Sequence, residues 1–148
     1  MEKKANNEDK IMWKVMIVDD EKLICKLVQA LVEWDKLGMQ MAAQAENAIQ
    51  ALDMLQQYRP DILITDIRMP GMDGLELIKN AKKICPELEI IIISGYAHFE
   101  YARNALSLGV GNYLLKPIKQ DELNETLRKI GERLLSLIHI SEPTRPLY

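Results

Sequence analysis

Short apolar runs alternate along the chain with longer segments whose apolar residues recur at helical spacing. Three of the runs, VMIV, ILI and IIII, are apolar throughout, as strands buried on both faces of a sheet must be. A fourth run, MQMAA, alternates between apolar and polar residues, which is typical of an edge strand, and the fifth is NYLL. The pattern therefore predicts five strands, each followed by a helix.

The helical segments also predict which residues face the core. The segment EKLICKLVQALVEW predicts a helix, and so do NAIQALDMLQQY, GLELIKNAKKI and HFEYARNALSL, the last with Gly109 at its C-terminal cap. A final helix is expected to begin near Gln120 and to lose its helical period after Leu134. The predicted core faces are Leu23, Leu27, Ala30, Leu31 and Trp34 in the first helix, Ala48, Ala51, Leu52 and Leu55 in the second, and Leu123, Leu127, Ile130 and Leu134 in the last.

Strict alternation of strands and helices predicts an α/β fold of the doubly wound (βα)5 kind. Its parallel five-stranded sheet would carry helices on both faces. The second strand is the least apolar, so it belongs at an edge, and the flavodoxin-like strand order 2-1-3-4-5 places it there.

Length and charge restrict the organisation and the function. The 148 residues suffice for one domain with one core, which we place at residues 13–134 after a polar, disordered segment of residues 1–12. A net charge of −3 does not indicate a nucleic-acid-binding face. Neither a signal core nor a membrane-length apolar window is present in the sequence, so we expect a cytoplasmic protein with no membrane partner.

The last residues differ in character from the rest. SEPTRPLY contains two prolines and cannot continue a helix. The string LSLIHISEPTRP resembles a translated transposon-type sequencing adapter. We therefore interpret residues 135–148 as a non-native tail.

Polar residues follow four of the five predicted strands. The first strand ends in Asp19 and Asp20, the third in Asp66, the fourth in Ser94 and the fifth in Lys116. Each of these residues alone has an ordinary structural explanation, such as a helix cap, a turn or a surface position. Because the carboxyl ends of parallel strands meet at one edge, all five are expected to lie together, at the switch point where such sheets bind ligands.

Three carboxylates in one place repel one another, so we expect a cation that compensates their negative charge. Mg²⁺ suits oxygen ligands and typically uses one or two carboxylates with water and phosphate oxygens. A carboxylate in such a site can attack phosphorus and form an aspartyl-phosphate. Asp66, at the tip of a buried strand, is the predicted acceptor, with Lys116 and Ser94 suited to the charge and hydrogen bonds of a phosphoryl group.

Four motifs together resemble the receiver domain of two-component response regulators, the CheY-like family. They are VMIVDDE, DILITDIRMPGMDGLELI, IIIISGY and NYLLKPI, and the resemblance covers roughly residues 13–133. The segments SGYAHFEYARNALSLGVGNYLLKPI and LVEWDKLGMQ resemble receivers attached to AraC-type DNA-binding output domains. The resemblance implies a cytoplasmic phosphoprotein that switches an output, transcription in the intact parent, and is not a turnover enzyme. No output domain is present here, so contact with DNA would pass through one missing from this chain.

The resemblance also implies a role for each site residue. Asp66 would accept the phosphoryl group from a phosphohistidine of a sensor histidine kinase. Mg²⁺ would be held by Asp20 and Asp66, by Asp19 through water, and by the backbone carbonyl of Arg68. Lys116 would pair with the phosphoryl group.

The remaining implied roles concern switching. Ser94 would hydrogen-bond the phosphoryl group, and Tyr113 would turn inward behind it as the aromatic switch residue. The peptide bond between Lys116 and Pro117 would be cis. Phosphorylation would change the face of the fourth helix and fifth strand, which a second receiver could bind to form a homodimer.

Alternatives from other classes remain. A stand-alone receiver that acts by docking, with no DNA-binding output, is the main one. A phosphatase with an aspartyl-phosphate intermediate would typically carry a second aspartate two residues after the nucleophile, where this chain has Arg68. A nucleotide-binding loop is not supported, because the GxxxxGK[ST] pattern is absent from the sequence.

Overall fold

A computed structural model describes residues 12–67, 69, 71–72, 74–95 and 111–140. Five strands form one parallel sheet in the order 2-1-3-4-5, which confirms the predicted fold class and the edge position of the second strand. The strands are β1 (Trp13–Val18), β2 (Met39–Ala45), β3 (Ile62–Asp66), β4 (Glu89–Ser94) and β5 (Asn112–Leu115).

Helices connect the strands and cover both faces of the sheet. The predicted helix HFEYARNALSL and its cap Gly109 lie outside the described residues, as do residues 1–11 of the segment predicted to be disordered. The described helices are α1 (Lys22–Leu31), α2 (Trp34–Leu37), α3 (Ala48–Tyr58), α4 (Gly74–Ile84) and α5 (Gln120–Ile140).

Alternate residues of each central strand enter two separate cores. On one face, Met16, Leu63 and Ile90 pack with the buried residues of α3 and α4. On the other face, neighbouring strand residues such as Ile17 and Ile64 pack with α1 and α5. Because both faces are covered, the middle of each central strand is apolar (VMIV, ILI and IIII), and polar residues lie towards the strand ends.

The prediction for the core face of α1 is wrong for Leu23, Leu27 and Ala30, whereas the predicted Leu31 and Trp34 do pack against the core. Leu23 is 78% exposed and Leu27 is 40% exposed, whereas Cys25 and Val28 are fully buried against the sheet. The helix also ends at Leu31, before the short helix α2 that the sequence pattern merged with it. This segment carries two apolar stripes at helical spacing, and spacing alone does not say which of them meets the sheet.

The predicted core face of α5 is confirmed, but its predicted end is wrong. Leu123, Leu127 and Ile130 are fully buried and Leu134 is 8% exposed. The helix continues to Ile140, six residues beyond the predicted loss of period, because LSLIHI contains no glycine or proline that would stop it. The interpretation of residues 135–148 as a non-native tail stays a prediction.

Strand register aligns the residues that follow the strands. Val18 pairs with Thr65, so Asp19 and Asp66 continue side by side from β1 and β3. Asp66 pairs with Ile93, which places Ser94 one position further along the neighbouring strand.

Although α5 has 21 residues, no helix in the described ranges is apolar enough over a sufficient length to cross a membrane.

Candidate functional site

Three carboxylates converge at the carboxyl edge of the sheet, as predicted. One oxygen from each of Asp19, Asp20 and Asp66 lies within 4.8 Å of the others. Asp19 and Asp66 are buried, at 2% and 8% exposure, whereas Asp20 is exposed. The cluster therefore has two carboxylates fixed by the fold and one that faces solvent.

Lys116 brings a positive charge to this cluster. Its Nζ lies 3.2 Å from Oδ2 of Asp66 and 3.6 Å from Oδ2 of Asp19. Burial alone would lower the pKa of the Lys116 ammonium, but the carboxylates of Asp19 and Asp66 raise it above its usual value. Lys116 is therefore a fixed cation beside the predicted acceptor.

The backbone around Asp66 is held by close contacts. Oδ1 of Asp66 accepts a hydrogen bond of 2.7 Å from the Ile67 amide. The Gly74 amide, at the start of α4, donates a bond of 2.7 Å to the Ile67 carbonyl oxygen. This approach requires glycine at position 74, because a Cβ there would lie 2.6 Å from the Asp66 carbonyl oxygen. Helix α4 therefore begins directly against the strand end that carries Asp66, the predicted acceptor.

Ser94 lies at the same edge and is fully buried. Its hydroxyl donates to the Gly95 carbonyl oxygen at 3.2 Å, while its own carbonyl oxygen accepts a bond of 2.8 Å from the Lys116 amide. Tyr113, on β5, is half-buried and packs against the core on the α3 and α4 face. Both predicted switch residues thus lie on neighbouring strands, Ser94 at the end of β4 and Tyr113 on β5, and Ser94 is the one that contacts Lys116.

Two expectations concern the backbone. The peptide bond between Lys116 and Pro117 is cis, which confirms the prediction. The carbonyl of Arg68, the predicted fourth metal ligand, lies outside the described residues.

Sequence reasoning missed one residue of the site. Oε1 of Glu21 lies 3.6 Å from Nζ of Lys116, as close as the Asp19 carboxylate. The apolar spacing of EKLICKLVQALVEW predicts this glutamate only as part of the first helix. Its position directly after the Asp19-Asp20 pair was the signal that could have placed it in the site.

Among the residues that the structure describes, Asp19 is a carboxyl group whose pKa is clearly raised. Desolvation raises the pKa of Asp19 from 3.8 to about 6, against the lowering effects of the Glu21 amide and Lys116. The folded protein thus binds this proton more tightly than the unfolded chain does. The stability contributed by Asp19 is fully present below about pH 4 and is lost as the pH rises through about 6.

We therefore expect Asp19→Asn to stabilise the metal-free protein near neutral pH. The amide keeps an oxygen for the 2.9 Å hydrogen bond from the Glu21 amide but removes the buried charge. The gain in the free energy of unfolding should be about 1–2 kcal/mol near neutral pH and should vanish near pH ~4. Urea denaturation in EDTA at both pH values measures it. A variant less stable than the parent near neutral pH would contradict this prediction.

Similarity to known proteins identifies the class of protein to which this chain belongs. The model of the response regulator receiver domain family matches residues 15–128. The chain belongs to this family.

The chain is similar to two bacterial transcriptional regulatory proteins. The chain is 40% identical over 119 residues to the uncharacterized transcriptional regulatory protein YesN of Bacillus subtilis, over 80% of this chain and 32% of YesN. It is 33% identical over 124 residues to the transcriptional regulatory protein HptR of Staphylococcus aureus, over 84% of this chain and 48% of HptR. The chain therefore spans less than half the length of either regulator.

Solved structures agree with this assignment. The REC domain of AraT, a response regulator from Geobacillus stearothermophilus, superposes with a TM-score of 0.81 at 40% identity, over 84% of this chain and 96% of that one. The two-component transcriptional regulator AraC from Clostridium phytofermentans superposes with a TM-score of 0.78 at 35% identity, over the same shares of the two chains.

Proposed function

We propose that this receiver domain is a phospho-acceptor whose Asp66 takes a phosphoryl group from a phosphohistidine of a sensor histidine kinase. The observation that carries the proposal is the contact of 3.2 Å between the Lys116 ammonium and the Asp66 carboxylate, inside a cluster of three carboxylates. An oxygen of Asp66 forms the new bond to phosphorus, and the bond from phosphorus to the histidine nitrogen breaks, which returns the imidazole. Lys116 offsets the negative charge that the phosphoryl oxygens bring to the buried strand end.

The residues present fit Mg²⁺. Asp19, Asp20 and Asp66 offer hard oxygen ligands within 4.8 Å of one another, and two of these carboxylates are buried. The backbone carbonyl of Arg68 is proposed as a further ligand, and Asp19 as one that acts through water. When bound, Mg²⁺ neutralises charge on the carboxylates and on the phosphoryl oxygens.

Switching is proposed to follow when a phosphoryl group on Asp66 disturbs the balance of charge at the site. A phosphoryl group on Asp66 gives the Ser94 hydroxyl a new acceptor in place of the Gly95 carbonyl oxygen. Ser94 ends β4, and Tyr113 lies on the neighbouring strand β5. Rotation of the Ser94 side chain therefore opens space, and the Tyr113 side chain turns toward it. The changed face around β5 is proposed to favour a homodimer.

The output is proposed to be transcription in a longer parent protein with an AraC-type DNA-binding domain. YesN and HptR are transcriptional regulatory proteins, and the chain covers 32% and 48% of them. The receiver itself is proposed to be a cytoplasmic signalling domain, with no catalytic turnover beyond loss of its own phosphoryl group.

Intact mass spectrometry tests the acceptor role. Incubation with Mg²⁺ and acetyl phosphate or phosphoramidate should add one phosphoryl group per chain, since a small donor bypasses the kinase. Removal of divalent cations with EDTA should lower the yield by about tenfold or more, because the repulsion among the carboxylates is then uncompensated. A folded chain, shown by circular dichroism, that gains no adduct with either donor would refute the acceptor role.

A further inference from the structure

The Glu21 carboxylate contacts Lys116, although Glu21 is neither one of the three clustered carboxylates nor the proposed acceptor. Its side chain is 64% exposed, and Oε1 lies 3.6 Å from Nζ of Lys116. Glu21 is also the N-cap residue of α1, but its side chain makes no capping hydrogen bond. The carboxylate is therefore available to the site and is not needed for the start of the helix.

Lys116 is shared among three carboxylates from two strand ends. Asp66 lies at 3.2 Å, and Asp19 and Glu21 each lie at 3.6 Å from its nitrogen. Asp19 and Asp66 are buried and belong to the proposed metal site and acceptor. Glu21 is the solvent-facing member of the set, so it lies on the side from which a donor reaches Lys116.

We infer that Glu21 is a positioning residue that selects phosphoryl donors by their charge. It competes with the incoming phosphoryl group for Lys116 and adds a negative charge at the entrance of the site. Both effects disfavour a dianionic donor more than a monoanionic one. The inference rests on the proposed function, in which Asp66 is the acceptor.

Simple electrostatics sets the size of the effect. In a largely hydrated site, the repulsion between the Glu21 carboxylate and a donor a few ångströms away should change the phosphorylation rate by about threefold for each unit of charge on the donor. Acetyl phosphate is a dianion near neutral pH, whereas phosphoramidate carries a protonated nitrogen and is a monoanion. Replacement of Glu21 by glutamine should therefore favour acetyl phosphate over phosphoramidate by about threefold.

The experiment measures initial rates of adduct formation with each donor, by intact mass, in excess Mg²⁺ and at low salt. Glu33→Gln is the matched control, because it makes the same change in charge. Oε1 of Glu33 lies 3.9 Å from Nζ of Lys36, and its side chain is 46% exposed, beyond the opposite end of α1. The quantity compared is the rate with acetyl phosphate divided by the rate with phosphoramidate.

The expected result is a ratio about threefold higher in Glu21→Gln than in the parent and in Glu33→Gln, with the gain shrinking at about 0.5 M salt. A helix-start defect would slow both donors alike and leave the ratio unchanged. An unchanged ratio in Glu21→Gln, with the parent phosphorylated at Asp66, would overturn the inference and leave the proposed function standing. A folded parent that gains no adduct from either donor would overturn both.

Discussion

Asp66→Asn is expected to abolish the phosphoryl adduct in the mass assay. The amide has nearly the same shape as the carboxylate and keeps an oxygen for the 2.7 Å hydrogen bond from the Ile67 amide, so the fold should persist. It is not a nucleophile toward phosphorus at neutral pH, and it removes one oxygen ligand of the proposed metal site. The yield should fall to background, a loss of about 10²-fold or more.

Asp53→Asn makes the same chemical change on the exposed surface of α3 and should be phosphorylated like the parent. Circular dichroism and urea denaturation establish that both variants are folded. An adduct that persists in Asp66→Asn would place the acceptor elsewhere, and fragmentation of the adduct would then be needed to locate it.

Gly74→Ala is expected to impair both stability and phosphorylation. The added Cβ would lie 2.6 Å from the Asp66 carbonyl oxygen and 2.7 Å from Cα of Ile67. These are backbone atoms, so either α4 or the end of β3 must shift. The free energy of unfolding should fall by about 1–3 kcal/mol, and the shifted Asp66, the proposed acceptor, should react more slowly by about tenfold or more.

Gly111→Ala is the matched control, since a Cβ at that glycine meets nothing within 4 Å. Urea denaturation gives the change in stability, and the initial rate with phosphoramidate gives the change in reactivity. If Gly74→Ala matched Gly111→Ala in both measurements, the close approach of α4 to the acceptor would not matter for either property.

Both the order of the strands and most of their bounds could be predicted from the sequence. Runs such as ILI and IIII are apolar on both sides because two helical layers cover them, so pattern and burial agree. The first helix followed its pattern only in part, because Leu23 and Leu27 are exposed while Cys25 and Val28, on another apolar stripe, are buried. Only the packing against the sheet distinguishes the two stripes.

Parallel strands made the main site predictable, because their carboxyl ends share one edge. This rule brought Asp19, Asp20, Asp66 and Lys116 together without any knowledge of side-chain positions. It could not reveal the contact of Glu21 with Lys116, which depends on side-chain conformation in the first turn of a helix. Nor could it reveal that Gly74 is needed for a close approach between backbones.

The pairing of Asp66 with Lys116 joins residues that are fifty positions apart in the sequence. Asp66 ends the central strand β3, and Lys116 follows β5, the last strand to leave the ribosome. A nascent chain that ends before Asn112 would thus carry Asp66 without Lys116. We therefore expect the proposed phosphorylation of Asp66 to begin only after synthesis has passed β5 and Lys116.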